Sequence, residues 1–255
     1  MMLNTPTAHL NMPSLFAALQ AIQKVIMYAS DAELRRNAFD AFKKILADIP
    51  ASQRFDILKA LITKSDSSSM TAILLDIMRG ELHTENCQRT GVGRNDEISN
   101  GENKACRDTP FWTAGVLELI EFVLRPSKGG PPPFLSMVTR YYSSIFCQAV
   151  KVVFFHAKLH IFVLAALNLY RFILITESTG KTNHTEVLSK SNLQKAYNEW
   201  LLPLRTLVTG IMAENKSDYD EFAVDTVCTL NPIELVLYRC IELVEDNLKQ
   251  STLVL

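Results

Sequence analysis

The run at residues 177–182 contains the residue types that bind phosphate in nucleotide-binding loops. Its sequence is Glu-Ser-Thr-Gly-Lys-Thr, and its last residues match the end of such a loop. The complete pattern also requires a glycine five residues before Gly180, and that position is Ile175. The residues before the run have helical rather than strand periodicity. We therefore predict that this run is a turn that ends a helix and that it binds no nucleotide.

The histidines and cysteines offer no clear metal or catalytic site. His156 and His160 are four residues apart and could share a helix face, as zinc ligands do. They lack the glutamate that follows the first histidine in zinc proteases, and no third ligand is near. The five cysteines are widely spaced and form no CxxC pair, which is typical of free thiols in a reducing compartment. They are Cys87, Cys106, Cys147, Cys228 and Cys240. We expect no catalytic residue, no metal, no cofactor and no small-molecule substrate, and thus no enzyme.

Charge and the first residues narrow the class of protein further. The chain has 26 basic and 27 acidic residues, so it lacks the basic excess that phosphate backbones attract. We expect no nucleic-acid partner. The first 16 residues, MMLNTPTAHLNMPSLF, lack the charged start and long apolar core of a secretory signal. Together with the free thiols, this predicts a cytoplasmic and/or nuclear protein.

The elements that would position these residues are amphipathic helices. Residues 1–83 predict helical hairpins, since short helical runs alternate with brief turns. Their clearest helix opens at a capping box, residues 30–33, with Leu34 and Phe42 facing inward, and ends at Pro50. The pattern predicts an all-α fold, specifically a HEAT- or armadillo-like helical-repeat solenoid (an ARM-type superhelix). An irregular helical bundle is the alternative.

The middle of the chain departs from this pattern. Residues 84–108 are polar and glycine-containing, which predicts a disordered surface loop. Residues 109–133 predict a helix from Thr109 to Arg125, followed by a Gly/Pro linker. Residues 134–162 are rich in aromatic and basic residues, with five of the 13 phenylalanines and no acidic residue. The basic residues in and after this segment leave no uninterrupted apolar run of about 18 residues, so a membrane span is not expected.

Residues 163–255 predict a C-terminal helical region. After one buried helix and a polar loop, an apolar row runs through Leu193, Tyr197, Trp200, Leu204, Leu207 and Ile211. Because Pro203 interrupts that row, a kink is expected between residues 199 and 203. A second helix is expected to begin at Ser217. A third is expected to begin at residues 231–234, where asparagine caps the helix and proline takes its first position.

Three segments of the sequence resemble the glomulin family. They are FWTAGVLELIEFVLRPSKGGPP (111–132), LNLYRFILITESTGKTN (167–183) and most of the region from Leu193 to Gln250, which begins LQKAYNEWLLPLRTLV. The resemblance is to the C-terminal portion of plant members, which are considerably longer. In that family the Gly/Pro linker is followed soon by the equivalent of residues 164–172. We therefore interpret residues 134–162 as an insertion, derived from a retained intron or an erroneous gene model.

The resemblance implies a protein that works by contact and not by catalysis. Members of the glomulin family are described as HEAT-like solenoids that regulate cullin-RING ubiquitin ligases, such as SCF complexes. They bind the RING-box subunit through the C-terminal region and mask the docking site of the ubiquitin-conjugating enzyme. Plant members are linked to lateral root development. The alternative is a generic helical-repeat scaffold protein with another protein partner.

A RING-docking surface should combine charged side chains with a few apolar anchors. The polar faces around Trp200 are the best candidates for it, although an aromatic residue on a helical row more often packs in the core. The predicted partner-binding residues are Glu199, Trp200, Arg205, Asp218, Asp220, Arg239 and Glu242.

Overall fold

A computed structural model of the protein describes residues 12–90, 110–125, 148–215 and 221–253. All of these residues lie in helices or in the turns between them, with no strand among them, which confirms the all-α class. The chain separates into two compact units, Met1–Leu61 and Ile62–Leu255, and each is described by itself. The HEAT- or armadillo-like repeat arrangement stays a prediction, and a helical bundle fits the packing of the larger unit.

The smaller unit contains helices α1 (Met12–Tyr28), α2 (Ala32–Asp48) and most of α3 (Ala51–Thr63). Helices α1 and α2 pack against each other. Leu19 of α1 and Phe42 of α2 are fully buried, so apolar burial stabilises this pair.

The start of α2 lies one residue later than the capping-box prediction placed it. Asp31, not Ser30, is the N-cap, and its side chain accepts a hydrogen bond from the backbone N–H of Glu33 at 2.9 Å. Leu34 was predicted to face inward, but it is 49% exposed in the first turn of the helix. The inward face is instead completed by Leu46, which is buried one turn after Phe42.

The larger unit contains the remaining helices and one π-helical turn. They are α4 (Ser68–Thr90), α5 (Ala114–Leu124), α6 (Gln148–Gly180), α7 (Lys190–Ala196), the π turn (Tyr197–Leu201), α8 (Leu202–Asn215) and α9 (Glu221–Leu253). Residues 84–90, predicted to belong to a disordered loop, are the last turns of α4. Helix α5 begins at Ala114 and not at Thr109. The other residues of the predicted loop and linker, 91–108 and 126–133, lie outside the described part of the chain.

Helix α6 is the centre of the larger unit, because α4, α5 and α9 all pack against it. Its buried residues form one broad face and include Leu167, Tyr170 and Leu174, each with 0% exposure. A face this broad is stable only when several neighbours cover it. The sequence predicted a helix here only from residue 163, whereas α6 begins at Gln148 and crosses into the predicted insertion 134–162. Residues 134–147 lie outside the described residues.

The second half of α6, Ile161–Gly180, is long and apolar enough in composition to cross a membrane. Its 20 residues include Arg171 and Glu177, and 44% of the apolar window is buried within the fold. The core helix of a water-soluble protein meets the same criterion. The packing of α6 against three neighbouring helices accounts for the buried part of its apolar surface.

A π turn, Tyr197–Leu201, lies where the kink near Pro203 was expected. The backbone N–H of Leu202 donates to the carbonyl of Tyr197, five residues earlier, so the turn holds one residue more than an α-turn. The extra residue advances the buried face of α8. Leu204, Val208 and Met212 are buried, whereas the predicted row placed Leu207 and Ile211 there.

Helix α9 continues through the point where a new helix was predicted to begin. Pro232 lies inside it, at a position that cannot donate to the carbonyl of Cys228. The helix persists because Leu230, Ile233 and Leu237 form one continuous buried face across the proline. Tertiary packing therefore outweighs the local helix-start signal. Ser217, the predicted start of the preceding helix, lies outside the described residues.

Candidate protein-interaction surface

The phosphate-loop-like run ends helix α6, as predicted. The backbone N–H of Thr182 donates to the Glu177 carbonyl at 3.0 Å, and that of Lys181 donates to the Ser178 carbonyl at 3.4 Å. Lys181 has a φ of 51°, the left-handed conformation in which this pair of bonds closes a helix end. These backbone donors are therefore used inside the turn, and they are not directed at a ligand.

The carboxylate of Glu177 fixes the loop that follows. It is fully buried and accepts hydrogen bonds from the backbone N–H and the hydroxyl of Thr185, each at 3.1 Å. Thr185 is also fully buried. The two hydrogen bonds offset part of the cost of burying a carboxyl group. The run therefore connects α6 to α7 through an internal polar contact.

The other candidate chemical residues do not form a site in the described structure. His156 and His160 both lie on α6, but their side chains are outside its described part, as are Cys106 and Cys147. Cys240 is buried and donates weakly to the Leu167 carbonyl at 3.6 Å. No group of three His, Cys, Asp or Glu side chains that could hold a metal occurs among the described residues.

Trp200 lies in the core and is not presented to a partner, since it is only 2% exposed. Its ring meets that of Tyr170 edge to face, with the centroids 5.7 Å apart. The sequence allowed both a core position and an anchor position for Trp200, and the structure supports the core position. Trp112 is also buried, and its indole N–H donates to the Leu82 carbonyl at 3.0 Å.

Glu199 takes part in a charge network between α5 and the π turn. Its carboxylate lies 2.8 Å from the Arg125 guanidinium, which also contacts Glu121 at 2.7 Å. Lys195 completes the network at 2.8 Å from Glu121. Because these charges neutralise one another, Glu199 helps to hold α5 against the π turn. Its role in partner binding stays a prediction.

Three other predicted residues lie close to one another where α8 meets α9. The guanidinium carbon of Arg205 stands 5.1 Å from the centroid of the Tyr238 ring, a cation–π contact. Arg239, the next residue on α9, pairs with Glu242 at 2.9 Å. Both partners of that pair are exposed. Asp218 and Asp220 lie outside the described residues.

Sequence reasoning missed two residues of this surface. Leu235 is 74% exposed and Tyr238 is 36% exposed, although both are large and partly or wholly apolar. Their positions along the helix could have indicated that they are exposed. They fall off the buried row of α9, which contains Ile233, Leu237 and Cys240. An apolar residue outside the buried row of an amphipathic helix marks a candidate contact.

Fold and surface together define an all-helical protein with no described catalytic centre and a mixed apolar and charged face. The chain matches, over residues 2–240, the family described as "Uncharacterised protein family, YAP/Alf4/glomulin", and it belongs to that family. It is 46% identical over 246 residues to Aberrant root formation protein 4 of Arabidopsis thaliana, a match covering 93% of this chain and 33% of that relative. The chain thus spans about a third of the relative's length. The comparison with solved structures gives no match.

Proposed function

We propose that this protein regulates cullin-RING ubiquitin ligases of the SCF type. In this proposal it binds the RING-box subunit and covers the surface where the ubiquitin-conjugating enzyme docks. The observation that carries the proposal is membership of the YAP/Alf4/glomulin family. The activity itself is what the resemblance to glomulin-family proteins implies. The match to a root-formation protein further supports a role in lateral root development.

The described surface supports a mechanism of steric masking. Masking requires no bond making or breaking, only exposed side chains that can exclude a competing protein. Arg205, Tyr238, Arg239 and Glu242 provide such side chains on two adjacent helices. Because both helices pack together, the face is held before a partner arrives, which lowers the entropic cost of binding. We also propose that the protein acts in the cytoplasm and/or the nucleus.

A competition assay tests this mechanism. The protein is titrated into a reconstituted reaction containing a cullin–RING-box complex, its conjugating enzyme and ubiquitin. The expected result is a fall in ubiquitin conjugation that a higher concentration of conjugating enzyme relieves. Unrelieved inhibition would exclude masking of the docking site. If the protein does not inhibit and binds no RING-box subunit, it is a general helical scaffold for another partner.

A further inference from the structure

The corner between α1 and α2 leaves one serine with an unused hydroxyl. Asp31, and not Ser30, caps α2 by accepting the hydrogen bond from the backbone N–H of Glu33. Ser30 is exposed, and within the described residues its hydroxyl forms no hydrogen bond. The hydroxyl of the capping motif is therefore free to react with a group from outside the protein.

Acidic residues follow Ser30 at the first and third positions. They are Asp31 and Glu33, and both are exposed. A serine with carboxylates at these two positions has the substrate pattern of acid-directed serine/threonine protein kinases, whose basic side chains bind the carboxylates. The same carboxylates are repelled by enzymes built for other sequences around the serine. The pattern therefore specifies the class of enzyme that modifies this hydroxyl.

The corner is accessible to an enzyme. Residues 29–31 lie between the two helices, and every residue from Ser30 to Leu34 is exposed. A protein kinase binds its substrate in an extended conformation, and Asp31 is already extended, with φ −77° and ψ 124°. The first turn of a helix frays more easily than its interior, because its N–H groups have no partner within the helix. Opening of that turn extends the segment as far as Glu33.

Arg35 provides a cation for a phosphate on Ser30. Its guanidinium already lies at the corner, where Nη1 donates to the carbonyls of Ala29 at 2.6 Å and Ser30 at 3.1 Å. Arg35 forms no ion pair with any described residue. A phosphoserine carries about −1.5 to −2 charges at pH 7 and three acceptor oxygens, which a guanidinium binds well. Arg35 therefore offsets the repulsion between the phosphate and the carboxylates of Asp31 and Glu33.

We propose that Ser30 is a phosphorylation site for an acid-directed serine/threonine kinase and that Arg35 holds the phosphate. In the reaction the Ser30 Oγ attacks the γ-phosphorus of ATP, and the bond from that phosphorus to the β,γ-bridging oxygen breaks. ADP leaves, and the hydroxyl proton passes to a carboxylate of the kinase. The phosphate makes the corner more acidic and ties it to α2. Phosphorylation of Ser30 is independent of the function proposed above.

Phosphorylation of the intact, folded chain by purified casein kinase II, an acid-directed kinase, tests the site. Trypsin releases residues 25–35 as a peptide whose only serine is Ser30, and mass spectrometry measures its phosphorylated fraction. We expect this peptide to be phosphorylated, and Glu33→Gln to slow its phosphorylation at least about fivefold by removing one carboxylate. Ser52 is the matched control, since it is exposed in the same unit and is followed by Gln-Arg-Phe. Its tryptic peptide, residues 45–54, should stay unmodified.

A phosphatase assay on the phosphorylated chain tests the role of Arg35. Alkaline phosphatase should remove the phosphate of Ser30 at least about threefold faster from Arg35→Gln than from the original chain. Arg36→Gln, which changes the exposed neighbour, should match the original, and Arg35→Lys should restore part of the protection because it keeps the charge. Equal rates for all four proteins would exclude Arg35 as the partner of the phosphate.

An unmodified 25–35 peptide would overturn the proposal, provided that the same kinase preparation phosphorylates an acidic model peptide. This holds even if the chain is phosphorylated elsewhere. Ser217, outside the described residues, is followed by the same pattern in Asp218 and Asp220. Phosphorylation of Ser217 without Ser30 would therefore show that the acidic pattern is recognised but that the α1–α2 corner does not admit the kinase.

Discussion

The hydroxyl of Tyr170 provides a sharp test of the packing around α6. Tyr170 is fully buried, and its hydroxyl has no hydrogen-bond partner in the described structure. Burial raises the pKa of this tyrosine far above its ordinary value, so the group stays neutral in the folded protein. In the unfolded chain the same hydroxyl is hydrated. Folding therefore removes its hydrogen bonds to water without replacing them.

Replacing Tyr170 with phenylalanine removes that penalty and keeps the ring against Trp200. A buried polar group without a partner costs about 1–3 kcal/mol. We expect Tyr170→Phe to raise the free energy of unfolding by about 1–2 kcal/mol, with part of the gain lost to the small void that the oxygen leaves. For a unit of about 200 residues this corresponds to about 2–8 °C in Tm. Tryptophan fluorescence follows the larger unit specifically, because Trp112 and Trp200 both lie in it.

Tyr197→Phe is the matched control, because the same atom is removed from a paired site. The Tyr197 hydroxyl donates to Glu245 at 2.9 Å, and this hydrogen bond raises the pKa of Tyr197. Its loss should destabilise the protein by about 1 kcal/mol, the opposite sign to Tyr170→Phe. If Tyr170→Phe destabilises as much as the control, the Tyr170 hydroxyl is bonded in solution, and the reasoning about its environment is refuted.

Four further predictions concern other parts of the chain. Thr185→Val should destabilise by about 2 kcal/mol in urea unfolding, because the buried Glu177 carboxylate loses a donor, whereas Thr185→Ser should retain most of the stability. Lys181→Gly should stabilise by about 0.5–1 kcal/mol by relieving the left-handed conformation; a loss of stability would count against this. Burial raises the pKa of Cys240 from 9.0 to about 12. The folded state favours the protonated thiol, and this contribution to the free energy of unfolding is therefore fully present below pH 9. It is lost as the pH rises toward 12, by up to about 1.4 kcal/mol per pH unit. Cys240→Ala should flatten that fall. Sequencing of transcripts should find a major spliced form that lacks the codons of residues 134–162; a major form that retains them would exclude the insertion hypothesis.

The sequence predicted helices well where a single apolar row decides the structure. In α9, Ile233, Leu237 and Val244 recur at helical spacing, and all three are buried. In α3, Phe55 and Leu58 are three residues apart and are likewise buried. Helical periodicity alone identifies such a face, because no information from neighbouring elements is needed.

Local signals failed where neighbouring helices outweigh them. Asn231 and Pro232 form a good helix start, yet α9 continues through them because its buried face is unbroken. Before Pro203, a π turn adds one residue to the helix. This residue moves the buried positions of α8 to Val208 and Met212. The spacing of apolar residues in the sequence does not distinguish a π turn from an ordinary α-helical turn.

The candidate surface was predictable only in part. Arg205, Arg239 and Glu242 were identified from sequence, and the structure brings them to adjacent positions around Tyr238. Trp200 could not be excluded as an anchor until its burial against Tyr170 was known. Exposure of one apolar side chain depends on which helices cover it. Local sequence therefore cannot show that Leu235 is open.

The most direct test of the proposed function is calorimetric binding of the unmodified chain to a purified cullin–RING-box complex. The proposal predicts saturable binding with one protein per RING-box subunit, and displacement of the ubiquitin-conjugating enzyme from the same complex. Cooperative unfolding followed by tryptophan fluorescence would first establish that the chain is folded. A folded chain that produces no binding heat and leaves the conjugating enzyme bound would contradict the proposed function.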